Sequence, residues 1–249
     1  MQLSDYANRY ETIRFERSNG ILEMTMHSGG GEVQWNVSRQ GHHNELGLAF
    51  ADIARDTENK VVILTGTGST FVAARDENEV VPEDNLHDMW DRMMDESAAM
   101  LEGLLAIPVP VICAVNGPAL IHSEIPVMCD IVLAAEHAEF ADTTHMPNGM
   151  PPGDGTQMIW PILLGPNRGR YFLLSGEPMS AEEAHRLGVV AEVLTADRLM
   201  PRARELATRL AGFPRRSLKH AKTLMVRYLR HRIRDELEIG LLSQGMAIL

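Results

Sequence analysis

The chain is poor in cysteine and in positive charge, and it has no long apolar segment. Its 249 residues include two cysteines, Cys113 and Cys129. Both stand in apolar runs, so we expect buried thiols in a reducing cytoplasm rather than a disulfide framework. No apolar run approaches the ~20 residues that span a bilayer, and the N-terminal residues lack the basic and apolar regions of a secretory signal. We therefore expect a soluble intracellular protein with no membrane partner.

The net charge of −11 argues against a protein built mainly to bind polyanions. The exception is the segment 202–234, which holds 11 of the 23 Lys and Arg residues and one acid, Glu205. Such a surface can bind nucleic acid, but it is also typical of solvated helix faces and subunit interfaces. No RNA-binding motif or aromatic platform accompanies the basic residues, so we do not expect a nucleic-acid partner.

Several catalytic signatures are absent as well. Without G-x-S-x-G, a serine hydrolase of that type is not indicated. The sequence GTGSTF, which begins at Gly66, lacks the third glycine and the lysine of phosphate-binding loops. There is no H-E-x-x-H or C-x-x-C, and His42 and His43 could bind a metal only with distant partners. We therefore expect neither a metal nor a cofactor.

What the sequence contains is an alternation of apolar strands and amphipathic helices. Two alternating runs in 12–27, joined by Ser18-Asn19-Gly20, are typical of a hairpin. Apolar runs at 60–66, 108–117, 130–136 and 191–195 predict buried strands, helical spacing predicts helices at 44–56 and 88–107, and the C-terminal third is mostly helical. The pattern predicts an α/β fold with parallel strand pairing, in one domain spanning residues 1–249.

Two histidines stand in unusual loops. His122 lies in a tight connection, VNGPALIHSEIPV, directly after a predicted strand, and His145 and Asp154 lie in FADTTHMPNGMPPGDGTQ. Shaped loops of this kind often carry catalytic groups. His145 can accept a proton near neutral pH, and Asp154 could orient its imidazole. The three residues can supply a base, an acid and an electrophile without a metal, although a purely structural role for the histidines is the alternative.

Four segments together resemble the crotonase (enoyl-CoA hydratase/isomerase) superfamily over residues 12–242. They are KVVILTGTGSTFVAARD, PVPVICAVNGPALIHSEIPVMCDIVLAAEHAEF, GMPPGDGT and GRYFLLSGEPMSAEEAHRLGVVAEVL. The resemblance implies a twisted β/α spiral at residues 1–195, followed by C-terminal helices at 196–249. It also implies assembly as a homotrimer or a dimer of trimers.

The departures from the hydratase pattern are informative. Hydratases carry glycines, one of which donates a backbone N–H to an oxyanion, where this chain has Ile121-His122-Ser123. His145 stands where a hydratase has its second catalytic glutamate. This pattern is similar to the β-diketone hydrolase (oxocamphor hydrolase) branch, which cleaves a carbon–carbon bond of a cyclic β-diketone. The resemblance implies that His145, oriented by Asp154, activates water and that His122 donates a hydrogen bond to the carbonyl oxygen.

The same resemblance places Trp35, His43 and Glu124 in the substrate pocket. It also shows Gln244 where that branch tends to have an active-site glutamate. Two alternatives remain open. The chain could be an enoyl-CoA hydratase/isomerase-type enzyme for an acyl-CoA thioester, with Glu124 as its acid or base, or a non-catalytic module that binds a ligand or RNA.

Overall fold

The computed structural model describes residues 1–79 and 85–249 of the chain. Within these residues the strands are β1 (Ile13–Ser18), β2 (Ile21–Met26), β3 (Gln34–Trp35), β4 (Val61–Gly66), β5 (Ala74–Arg75), β6 (Val111–Val115), β7 (Ile131–Ala135), β8 (Glu139–Phe140), β9 (Met179–Ser180) and β10 (Glu192–Leu194). The α-helices are α1 (His42–Arg55), α2 (Leu86–Ala106), α3 (Glu124–Val127), α4 (Thr156–Leu164), α5 (Pro166–Ser175), α6 (Ala181–Arg186), α7 (Ala196–Ala211), α8 (Arg215–Met225) and α9 (Arg227–Ile248).

The first two strands form the predicted hairpin. They pair antiparallel with Ser18 opposite Ile21, so that Asn19 and Gly20 alone make the turn. Both turn residues have positive φ, 53° and 80°. A tight hairpin turn of this kind needs positive φ at both central residues, and Asn-Gly is the pair that adopts it most readily. The hairpin prediction is therefore confirmed.

The main sheet has the strand order β1-β2-β4-β6-β7-β10, and every pairing after the hairpin is parallel. Alternate residues of β4 show how both faces are covered. Val62 and Leu64 pack in the larger core cluster with residues of α1 and α2. Val61 and Ile63 pack in a second cluster with Leu199 of α7. The predicted α/β core, with apolar strands buried on both faces, is confirmed.

The C-terminal helices complete the fold, and α9 packs against α2 and α4. Several basic residues of this region are paired with acids: Arg202 with Glu192, Arg204 with Glu23, and Lys222 with Asp130. This pairing supports the interpretation of the basic segment as ordinary helix surface.

The two thiols differ in burial. Cys113 is fully buried as expected, whereas Cys129 is only half-buried, with its Sγ 3.5 Å from the carbonyl oxygen of Ile125. The expectation of burial is therefore wrong for Cys129, which lies in the short connection between α3 and β7. In the part of the chain that the structure describes, no helix has the length and apolarity to cross a bilayer.

Candidate active site

A cavity of about 280 Å³ lies between α1, α2, α9 and the loops that follow β6 and β8. It gathers His43, Ser97, His122, His145 and Asp154 on its walls. A larger groove of about 480 Å³ runs between α1, α2 and α9, but no histidine lines it. Because catalytic acids and bases are the groups expected at a reaction centre, the smaller cavity is the candidate active site.

His122 reaches the cavity from an unusual backbone conformation. Its φ is +50°, in the left-handed region that favours glycine. The imidazole lies on the indole of Trp35, with ring centres 4.4 Å apart. Its Nδ1 lies 2.7 Å from Glu124 Oε1 and 3.4 Å from Asp154 Oδ2. Nδ1 shares a proton with Glu124, and among the described residues none forms a hydrogen bond with Nε2.

Glu124 lies behind His122 and not on the cavity wall. The expectation that Glu124 contacts substrate stays a prediction, and the structure places the ring of His122 between this side chain and the cavity. It follows His122 by two residues at the start of α3, and its side chain is fully buried against Nδ1. Burial and the charge of Asp154 raise the pKa of Glu124 to about 7, although His122 opposes the shift. Its Oε2 is buried without a partner among the described residues.

His145 lies between two carboxylates. Its Nδ1 is 2.8 Å from each oxygen of Asp142, and its Nε2 is 3.2 Å from Asp154 Oδ2. Burial alone would lower the pKa of His145, but the charge of Asp154 and the hydrogen bonds with both carboxylates raise it to about 10. His145 is therefore a cation at neutral pH.

Asp142 was not predicted from the sequence, which placed only Asp154 beside His145. The backbone N–H groups of Thr144 and His145 both donate to Asp142 Oδ1, at 3.2 Å, and hold the carboxylate in place. Such local side-chain-to-backbone bonds are common for aspartate. The spacing Asp-x-x-His in ADTTH is the signal that could have revealed it.

Asp154 joins the two imidazoles. Its Oδ2 contacts His145 and His122, and its Oδ1 accepts a hydrogen bond from Thr156 Oγ1 at 3.2 Å. Burial would raise the pKa of Asp154, but the charge of His145, followed by that of His122, holds it well below its usual range. Burial lowers the pKa of His122, but Glu124 and Asp154 raise it by a larger amount. The net shift of this pKa is therefore upward. The structure thus brings together the three residues that the sequence grouped.

One group among the described residues has the composition of a metal site. His122, Glu124 and Asp154 each offer a ligand atom, and these atoms lie within 4.8 Å of one another. The set of one imidazole and two carboxylates suits a divalent cation. A cation would have to displace the proton that His122 Nδ1 shares with Glu124, however, so the hydrogen bonds in the structure already occupy these atoms.

A second histidine system lines the same cavity. His43 Nδ1 lies 2.9 Å from Glu96 Oε2, and His43 Nε2 lies 3.1 Å from Ser97 Oγ. Glu96 Oε1 accepts a hydrogen bond from Arg92 at 2.7 Å. Burial lowers the pKa of His43, and the hydrogen bond with Glu96 offsets this only in part. The sequence indicated His43 for the pocket but did not reveal its two partners on α2.

The remaining predicted pocket residues lie on the wall. Trp35 lines the cavity and is almost fully buried, and Gln244 reaches it from α9. Two residues of α2, Trp90 and Met93, also line the cavity. Helical spacing alone does not distinguish a core face from a cavity wall.

The chain is similar to known proteins along nearly its whole length. The sequence model of the enoyl-CoA hydratase/isomerase family matches residues 16–243. The chain is 32% identical over 180 residues to the 2,3-dehydroadipyl-CoA hydratase of Escherichia coli, covering 72% of this chain and 67% of that protein. It is 33% identical over 206 residues to the carnitinyl-CoA dehydratase of Salmonella enteritidis, covering 81% and 75%.

A solved structure is similar over almost the full length. It is a β-diketone hydrolase from the cyanobacterium Anabaena sp. PCC 7120, bound to (S)-3-oxocyclohexyl acetic acid. The sequences are 40% identical, and the TM-score is 0.92, with 98% of this chain and 96% of that chain covered.

Proposed function

The chain belongs to the enoyl-CoA hydratase/isomerase (crotonase) family, whose fold it shares, and from that premise we propose that it is a cofactor-independent hydrolase of β-diketones. The reaction is a retro-Claisen cleavage of a carbon–carbon bond in a small cyclic substrate. The observation that carries the proposal is the pair of imidazoles, His122 and His145, joined by the buried carboxylate of Asp154 at one cavity wall. The similarity to the Anabaena β-diketone hydrolase supports the same reaction.

The attacking water binds beside the contact between His145 Nε2 and Asp154 Oδ2, which are 3.2 Å apart, so that both atoms can accept its hydrogen bonds. Its oxygen adds to one carbonyl carbon while Nε2, once neutral, takes a water proton. The bond between that carbon and the central carbon then breaks, and its electron pair forms the enolate of the second carbonyl. Asp154 and Asp142 stabilise the imidazolium that results.

His122 acts on the diketone, whereas His145 acts on the water. Because Glu124 and Asp154 hold its Nδ1, its Nε2 is left to donate a hydrogen bond to the carbonyl oxygen that gains negative charge. It then helps to return a proton to the enolate carbon. The ring replaces the backbone N–H that glycine supplies in the thioester enzymes.

The cavity favours a compact, mostly apolar substrate. Its volume is about 280 Å³, and Trp35, Trp90 and Met93 contribute apolar wall. Hydration of an acyl-CoA thioester has less support, because the glutamate that would act as its acid or base, Glu124, is buried behind His122. The ligand in the Anabaena structure, a keto acid with one ring, is of the size that this cavity suits.

The experiment is cleavage of a cyclic 1,3-diketone in water enriched with oxygen-18. We expect a keto acid product in which one carboxylate oxygen comes from the solvent, and loss of product formation in His145→Ala. Ser217→Ala, an exposed change on α8, serves as the control for handling and folding. Recovery of the intact diketone from the wild-type protein would contradict the proposal.

A further inference from the structure

Ser97, His43 and Glu96 form a continuous hydrogen-bonded chain at the cavity. The distance from Ser97 Oγ to His43 Nε2 is 3.1 Å, and that from His43 Nδ1 to Glu96 Oε2 is 2.9 Å. All three side chains are more than nine-tenths buried. A hydroxyl, an imidazole and a carboxylate in this order are the parts of a nucleophilic triad, which is recognised by its geometry and not by its sequence order.

The hydrogen bonds determine where the protons lie. The carboxylate of Glu96 can only accept, so His43 Nδ1 donates, and the lone pair of Nε2 is left to accept from the Ser97 hydroxyl. Arg92 holds the second oxygen of Glu96 at 2.7 Å, which keeps the carboxylate in place. Burial lowers the pKa of His43, so the imidazole is neutral and able to take a proton.

The chain of groups opens onto the cavity. Ser97 and His43 both lie on its wall, and the ring centre of His122 is 5.7 Å from that of His43. An oxyanion formed at a carbonyl carbon bonded to Ser97 would thus lie in the cavity that the imidazole of His122 also lines. Nothing in the diketone reaction requires the hydroxyl of Ser97.

We propose that Ser97, His43 and Glu96 form a second hydrolytic site that cleaves small carboxylic esters through an acyl-serine intermediate. Ser97 Oγ bonds to the acyl carbon and its proton passes to His43 Nε2. The ester C–O bond breaks, and the leaving alcohol takes that proton. Water then attacks the acyl carbon, giving a proton to His43, and the Ser97 ester breaks to release the acid while Ser97 Oγ regains the proton.

The test uses phenyl acetate as the ester and diisopropyl fluorophosphate as the covalent probe of a reactive serine. The wild-type protein should hydrolyse phenyl acetate, and peptide mapping after inactivation should find the phosphoryl group on Ser97. Ser97→Ala should abolish labelling at this site and reduce hydrolysis to the background rate. His43→Ala should lower the labelling rate by about 10²–10⁴-fold, the usual contribution of a positioned base.

Ser217→Ala provides the matched control, because Ser217 is exposed on α8 and does not line the cavity; it should retain wild-type labelling. Labelling of another residue, or unchanged ester hydrolysis in Ser97→Ala, would overturn the proposal. Wild-type protein that cleaves a diketone but does not react with the probe would overturn this proposal alone, and Ser97 would then serve only to hold His43.

Discussion

His43 and His145 differ in charge at neutral pH because their neighbours differ. His43 contacts one carboxylate and a hydroxyl, and burial lowers its pKa. His145 lies between two carboxylates, and its pKa is raised to about 10. His42, the neighbour of His43, has a pKa lowered to about 4 by burial. At neutral pH His145 therefore presents a cationic imidazole to a bound substrate, and His43 presents a neutral one.

The first prediction concerns the pH dependence of diketone cleavage. If His145 is the base, it must lose a proton before it can accept one from water. With a raised pKa, the neutral fraction grows about tenfold per pH unit below the pKa, so kcat/KM should rise between about pH 7 and 9. Asp154→Asn removes the charge that raises this pKa, and should shift the rise to lower pH while reducing the maximal rate.

The measurement is a pH–rate profile for both proteins, with circular dichroism to check folding at each pH. A rate that falls over this interval would contradict the base role. It would instead make His145 a proton donor that acts in its charged form.

The second prediction separates the ring of His122 from its backbone. A non-glycine residue at φ +50° costs about 1–2 kcal/mol. The free energy of unfolding, measured by urea titration, should therefore be about 1 kcal/mol higher for His122→Gly than for His122→Ala. Both variants lack the imidazole, and both should lower kcat by about 10²–10³-fold. Equal stabilities of the two variants would contradict backbone strain at residue 122. Unchanged turnover in both would show that the role of His122 is structural.

Helix α9 packs against the loop that carries Asp154, and the contact is between the backbones of Gly240 and Gly153. A Cβ added to Gly240 would lie 2.2 Å from the carbonyl oxygen of Gly153, and one added to Gly153 would lie 2.3 Å from that of Gly240. Neither backbone can yield easily, because closely packed interiors transmit such displacements. Asp154 follows Gly153 in the chain, so its position depends on where α9 packs against this loop.

The third prediction follows from this contact. Gly240→Ala should lower the free energy of unfolding by about 1–3 kcal/mol, the usual cost of overpacking. It should also lower kcat, because the shifted loop moves Asp154 away from His145. Ser243→Ala, an exposed change on the same helix, should alter stability by less than about 0.5 kcal/mol. Urea titration and steady-state rates of both variants provide the measurement. Wild-type activity in Gly240→Ala would show that α9 does not determine the position of Asp154.

At the scale of the whole molecule, α9 exposes an apolar face. Ile239 is 66% exposed, Leu242 50% and Met246 87%, and their spacing puts them on one side of the helix. A contiguous apolar patch on a protein surface usually marks an interface. Together with the family resemblance, this patch supports the proposal that the protein assembles as a trimer or a dimer of trimers.

The fourth prediction is that light scattering at micromolar concentration gives a trimer or a multiple of it. Replacing Ile239 and Met246 by glutamate places charge in the apolar face and should shift the distribution toward monomer. Glu238→Gln, on the same helix, should leave the assembly unchanged. A wild-type protein that is a stable monomer would contradict the proposal.

Much of the fold was predictable because its signals are local. The Asn19-Gly20 turn, the apolar runs of β4 and β6 and the helical spacing of α1 each depend on a few adjacent residues. Partners that meet only in three dimensions were missed. Glu96 reaches His43 across 53 positions, and no spacing rule connects them. The place of Glu124, behind His122, depends on side-chain direction at the start of α3, which sequence does not reveal.

We propose that this cavity cleaves β-diketones and does not hydrate acyl-CoA thioesters. The most direct measurement compares kcat/KM of the same preparation on a cyclic 1,3-diketone and on crotonyl-CoA. We expect cleavage of the diketone at an ordinary enzymatic efficiency, above about 10⁴ M⁻¹s⁻¹, with crotonyl-CoA far slower. Hydration of crotonyl-CoA above about 10⁴ M⁻¹s⁻¹, with the diketone left intact, would contradict it.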